Sequence, residues 1–166
     1  MNTDTKIIVG AVGVSVVIIV GAIALFSNQK SVPKREDQGV ASMTIDKKSE
    51  DFGSMKVSDE RRATFTITNE GDSILRIWKV VTSCDCTAAT IKIGDTETSE
   101  FSMAGMMSTD RANWLGEVPA GKKAILTVIY RPSVMPVNGP ITRQVTFSTN
   151  DPKNQDVEVS IAAHVL

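Results

Sequence analysis

The C-terminal stretch "DVEVSIAAHVL", residues 156–166, puts Val157, Val159, Ile161, Ala163 and Val165 at every second position. An apolar repeat of two sets one face of an extended strand against a core and leaves the other to water. The same repeat runs through most of the chain after about Val40. In "RATFTITNEGD" it gathers Ala63, Phe65 and Ile67, with threonines on the opposite face and Glu70-Gly71-Asp72 as a turn. "SILRIWKVVTS" reads as a second strand whose phase changes near Trp78-Lys79, the mark of a bulge. "VPAGKK" turns into "AILTVIYRP", where Leu126, Val128 and Tyr130 share a face and Pro132 ends the strand. "ITRQVTFSTNDP" repeats the pattern with Val145 and Phe147 inward and Asn150-Asp151-Pro152 as a turn. Short alternating strands between turn signals predict an all-β fold, an immunoglobulin-like antiparallel β-sandwich over residues 40–166. Within it, "GDTETSEFSMAGMMSTDRANWLG", about residues 94–116, is too long and irregular for a hairpin loop and reads as an insert.

The N-terminal region follows another rule. Ile7 to Phe26 is an apolar run of twenty residues without a charge or proline, enough for a helix to cross the roughly 30 Å core of a bilayer. Residues 1–26 are therefore expected to form one N-terminal transmembrane helix. Ala22-Ile23-Ala24 is the small-x-small pattern that a cleaved signal peptide would use, but the length of the run favours an anchor. The polar segment 27–39 reads as a tether. Lys30, Lys34 and Arg35 follow the span and Lys6 alone precedes it, which by charge counting retains the C-terminal part in the cytoplasm. Long domains cross largely regardless of such charges. The expectation is a single-pass protein of the cytoplasmic membrane with its domain outside, at the cell surface or in the periplasm.

Function classes narrow quickly. The net charge is −1 and no basic stripe with interleaved aromatics occurs, so nucleic acid is not an expected partner. A histidine-based nucleophile triad would depend on the single histidine, His164, which falls on the outward phase of the last strand. No glycine-rich phosphate loop or HExxH pattern occurs. Trp78 and Trp114 read as packing aromatics, Trp114 being placed where it could also cap a ligand site. A non-enzymatic domain that binds a protein or envelope partner through its loops is the expectation.

The only cysteines are Cys84 and Cys86, in "VVTSCDCTAAT". Read as strand, they point to one face about 6.6 Å apart. A disulfide there would sit near the upper limit of bridged Cα separations, about 6.8 Å, and would close too small a loop to stabilise the fold much. Convergent thiolates suit a soft metal such as Cu(I). "FSMAGMM" adds Met103, Met106 and Met107, three of the seven methionines, as thioether candidates. As adaptable apolar side chains they equally suit covering the end of a sandwich. Asp85 falls on the opposite strand face, as a solvated neighbour. A redox pair is the alternative, although the usual Cys-x-x-Cys at a helix N-terminus is missing.

Three stretches together, "DFGSMKVSDERRATFTITNEGDSILRIWKVVTSCDCT", "PAGKKAILTVIYRP" and "VTFSTNDP", resemble an uncharacterised bacterial family, a domain of unknown function (number fifteen seventy-three). The resemblance runs from about Asp51 to the C-terminus. It implies a membrane-anchored or exported protein with an immunoglobulin-like, Hydin-like domain, and no established activity. The family usually has Cys-Gly-Cys-Thr where this chain has Cys84-Asp85-Cys86-Thr87. In architecture and in its Cys-x-Cys pair the chain is also similar to the membrane-anchored copper chaperones of cytochrome oxidase assembly, the CtaG type. That likeness implies Cu(I) at Cys84 and Cys86, without the phenylalanines that flank the pair there. Cu(I) capture, thiol–disulfide redox work and a purely structural or adhesion module stay open.

Overall fold

The computed structural model describes residues 39–166; the expected membrane helix and nearly all of the tether lie outside them. Ten strands form two five-stranded sheets packed face to face. The first sheet runs in the order β1 (Met43–Ile45), β3 (Arg61–Asn69), β8 (Lys123–Tyr130), β5 (Thr87–Ile93), β6 (Thr96–Glu97). The second runs β2 (Ser49–Met55), β10 (Asp156–Val165), β9 (Gly139–Thr149), β4 (Leu75–Thr82), β7 (Leu115–Val118). The core lies between them, built from the inward phases anticipated by the alternation. Ala63, Phe65 and Ile67 face Leu126, Val128 and Tyr130 in one sheet, and Val145, Phe147, Val159 and Ile161 come from the other; all are buried. His164 is exposed, as its phase requires.

Three features refine the expectation. One strand pair, β2 with β10, is parallel, so the second sheet is mixed rather than antiparallel. The chain crosses between sheets after β1 and lays β2 along the free edge of β10 in the same direction. This edge strand is short of apolar residues and carries Glu50 and Asp51, which discourages pairing with another chain. The bulge foreseen in β4 is present as a register shift between Trp78 and Val81, with Lys79 at φ 53°. It carries the inward phase from Leu75 and Ile77 to Val80 and Thr82.

The insert is partly ordered by the sandwich. Phe101 exchanges backbone hydrogen bonds with Ala89 of β5, at 2.7 and 3.1 Å. A short helix α1 (Thr109–Ala112) then leads the chain to β7. Trp114 is a packing aromatic, its ring edge-on to Phe101 with centroids 5.2 Å apart. Gly116 makes this possible, since a Cβ there would stand 2.7 Å from Trp114 Cζ2.

The Asn150-Asp151-Pro152 turn has a structural task that alternation could not reveal. Asp151 is 2% exposed, and its carboxylate accepts hydrogen bonds from the amides of Met43 and Lys153, both at 2.8 Å, and from Asn154 Nδ2 at 2.7 Å. Burial pushes the Asp151 pKa up, but these donors outweigh it and the net shift is downward. A depressed carboxylate contributes stability that is fully present above its unfolded pKa, about 4, and disappears as pH falls through the folded value. Thermal melts are therefore expected to lose stability below about pH 4 in the wild type. Asp151→Asn should lower stability by about 2 kcal/mol at neutral pH and flatten that acid limb. An unchanged acid limb in the variant would assign the acid sensitivity to other carboxylates.

Candidate functional site: the cysteine corner

Between β4 of the second sheet and β5 of the first, the chain has only Ser83 to Cys86 in which to change sheets. It does so in a tight turn whose backbone groups find partners. The Thr87 amide donates to the Cys84 carbonyl at 3.2 Å, and Thr82 Oγ1 donates to the same oxygen at 3.0 Å. Ser83 is locked to β9, its amide donating to the Gln144 carbonyl and its Oγ accepting from the Gln144 amide, both at 2.9 Å. The Arg131 amide donates to the Cys86 carbonyl at 2.8 Å.

This turn corrects the strand reading of the pair. Cys84 and Cys86 stand at a corner, their Cα atoms are 5.3 Å apart, and their sulfurs are bonded to each other. That separation lies within the usual disulfide range, whereas an extended backbone would have pushed the pair to its limit. Asp85 is exposed at the turn.

Two side chains contact the disulfide, and a third stands across the ladder from Thr87. Arg143 Nε donates to Cys86 Sγ at 3.2 Å, while its Nη1 donates to the Thr142 carbonyl at 3.0 Å. Thr87 Oγ1 lies 3.3 Å from Cys84 Sγ and 3.9 Å from Cys86 Sγ. Tyr130, directly across the ladder from Thr87, is fully buried, and its hydroxyl has no hydrogen-bond partner among the described residues. Burial pushes the Tyr130 pKa up, and the nearby Arg143 charge acts against that shift. This end of the sandwich thus holds a cation bonded to a cysteine sulfur and a buried hydroxyl without a partner among the described residues.

A charged clasp ties the insert to the same end. Arg131 grips Glu100 with two hydrogen bonds, at 2.7 and 2.9 Å, and reaches Glu60 at 2.7 Å. Arg111 Nη1 donates to the Glu100 carbonyl at 2.9 Å. The Arg131 hydrogen bonds hold the Glu100 carboxyl below its usual range, against the opposing effect of burial.

The three methionines are spread out. Met103 is half-buried and follows Ser102, whose carbonyl accepts the Thr82 amide at 3.2 Å, so its backbone lies beside the strand that enters the corner. Met106 is 62% exposed. Met107 packs against the core and lines a groove of about 590 Å³ with Lys79, Val81, Thr146 and Ser148. The groove's nearest β9 residue, Thr146, is three positions beyond Arg143, about 10 Å along the strand.

Arg143 was not singled out in the sequence, Thr87 entered only as the last residue of the Cys-Asp-Cys-Thr motif, and Tyr130 only as an inward strand residue. Arg143 had a readable signal, because it occupies the same phase as Val145 and Phe147 and is a charge on an otherwise inward face.

Residues 43–101 match the family model described as "Protein of unknown function (DUF1573)". This bears out the resemblance carried by the segment around the cysteines. No curated protein matches the chain. Among solved structures, a protein of unknown function from Porphyromonas gingivalis W83 is 18% identical with a TM-score of 0.56, over 75% of this chain and 47% of that one. The chain thus spans less than half the length of that protein. The ASH/PapD-like domain 7 of human CEP192 is 10% identical with a TM-score of 0.49, over 84% of this chain and 94% of that one. The CsuC–CsuE chaperone–adhesin complex of Acinetobacter baumannii matches at 10% identity and 0.40, over 75% and 52%. The first of these likenesses is one of fold alone, and the described residues form a β-sandwich of two packed sheets.

The unpartnered Tyr130 hydroxyl gives a direct test of this geometry. Tyr130→Phe removes a desolvated group that gains nothing in return, so the variant should be as stable as the wild type or up to about 1 kcal/mol more stable in denaturant titration. A loss of more than about 1 kcal/mol would mean that the hydroxyl has a partner in solution.

Proposed function

We propose that the chain is a membrane-tethered binding domain outside the cytoplasm whose working site is the Cys84–Cys86 corner, and that it acts through a reversible disulfide. The observation that carries this reading is the Arg143 Nε contact to Cys86 Sγ. A guanidinium beside a cysteine sulfur favours the thiolate, which is the reactive form in thiol–disulfide chemistry. A staple is the poorer account, because a disulfide spanning two positions removes little chain entropy from the unfolded state. An oxidised pair also suits an extracytoplasmic compartment. The chain enters the domain at Gly39–Val40, where the Val40 amide binds Asp72 beyond the end of β3. The corner lies at the other end, next to Tyr130 and its partner Arg61, about 26 Å away along β3. No substrate turnover is assigned to it.

Cu(I) capture by the reduced pair is a second reading. It is favoured by the backbone bond from Thr82 to Ser102, which brings Met103 alongside the corner. The reduced cysteines would supply two thiolates and Met103 a thioether, ligands that Cu(I) prefers.

Equilibrating the full chain in graded thiol–disulfide buffers, with free thiols counted by alkylation and mass, separates these readings. The expected result is one reversible two-electron transition that is indifferent to Met103→Leu, Met106→Leu and Met107→Leu. A pair that stays oxidised until the domain unfolds would remove the redox function. Anaerobic titration of the reduced chain with Cu(I) against a chelator would shift the assignment to copper if binding is tight, lost in Cys84→Ser and weakened in Met103→Leu.

A further inference from the structure

We infer that the corner exchanges thiols with a fixed polarity: an incoming thiolate attacks Cys84 Sγ, and Cys86 leaves as a thiolate held by Arg143. This rests on the redox reading above and adds which sulfur does what. Exchange passes through a mixed disulfide, so one sulfur must be reachable and the other must carry the displaced charge. The two cysteines are both buried but differ on each requirement. Cys84 is 9% exposed and Cys86 only 1%. Arg143 Nε donates to Cys86, so the cation is already in place where charge would develop. A neutral group, the Thr87 hydroxyl, is the nearer neighbour of Cys84, at 3.3 Å against 3.9 Å for Cys86. The turn's own carboxylate, Asp85, is exposed, so water screens its charge, whereas Arg143 is half-buried against Cys86.

The chemistry balances with a protein dithiol as partner. Its first thiolate forms a bond to Cys84 Sγ as the Cys84–Cys86 bond breaks, and the electron pair goes to Cys86. The partner's second thiol, losing its proton to solvent, then attacks its own sulfur in the mixed disulfide and releases Cys84 as a thiolate, which takes up a proton. The partner leaves with a new disulfide, and the domain has gained two electrons. Arg143 is a positioning residue in this scheme, since it acts on the leaving sulfur and not on the partner.

The test uses the oxidised full chain in detergent, with glutathione as a one-thiol probe, rapid alkylation and fragment mass analysis of the Cys84–Cys86 peptide. Glutathione should be found on Cys84 and the alkyl group on Cys86, in about tenfold excess over the reverse arrangement. Arg143→Gln should slow adduct formation about tenfold and level the two arrangements, while Arg143→Lys restores part of the preference. A purely structural arginine would change stability without changing which sulfur carries glutathione. An even split, or glutathione mainly on Cys86, in the wild type overturns the polarity and leaves the redox reading intact. No adduct on either cysteine overturns both.

Discussion

The change of sheet between Thr82 and Thr87 is the constraint on which this end of the molecule depends. A sandwich needs its chain to pass from one layer to the other, and here the passage is made in four residues, Ser83–Cys86. So short a crossing leaves the backbone little freedom and requires its polar groups to be met locally. Thr82, Gln144 and Arg131 meet them, and the same bonds draw the two cysteines together. The disulfide is a consequence of the corner more than its cause. The hydrogen bonds that hold the turn do not involve the sulfur–sulfur bond itself.

The two ends of the sandwich treat buried polar groups in opposite ways. At the end where the chain enters, Asp151 receives three donors, and Asn69 donates to the Ser73 and Val118 carbonyls while accepting from the Gly71 amide. These groups are satisfied, and they join β1, β3 and β7 to their neighbours. At the cysteine end, Tyr130 buries a hydroxyl without a partner among the described residues, and Arg143 spends its Nε on a sulfur, a weak acceptor. Satisfied networks fix a fold, while buried groups left wanting call for a reason. In the redox function proposed above, accommodating charge on sulfur would supply one for Arg143.

Much of the fold could be read from the sequence because a period of two is a strong signal when both sheets bury one face. Phe65, Val128, Val145 and Val159 were identifiable as core from alternation alone, and so was the break of phase at Trp78-Lys79. The parallel pairing of β2 was not legible, because "SEDFGSM" lies on an edge and has almost no buried face to set a pattern. The corner was misread for a related reason. "VVTSCDCTAAT" looks like continuous strand because Thr, Val and Cys all suit one, and no Gly or Pro marks the turn. What bends it is tertiary, in Gln144 of β9 and Arg131 just beyond the end of β8, both far along the chain. Met107 was grouped with the cysteines on loop membership, yet a loop that wraps a sheet can carry neighbouring residues to different places.

The most direct test of a working disulfide is its state in living cells. Rapid acid quenching followed by alkylation of the full chain should recover both oxidised and reduced Cys84–Cys86, in proportions that shift when a membrane-permeant thiol is added and recover when it is removed. A pair recovered wholly oxidised, unchanged by a thiol dose that reduces other exposed disulfides of the same compartment, would contradict the account.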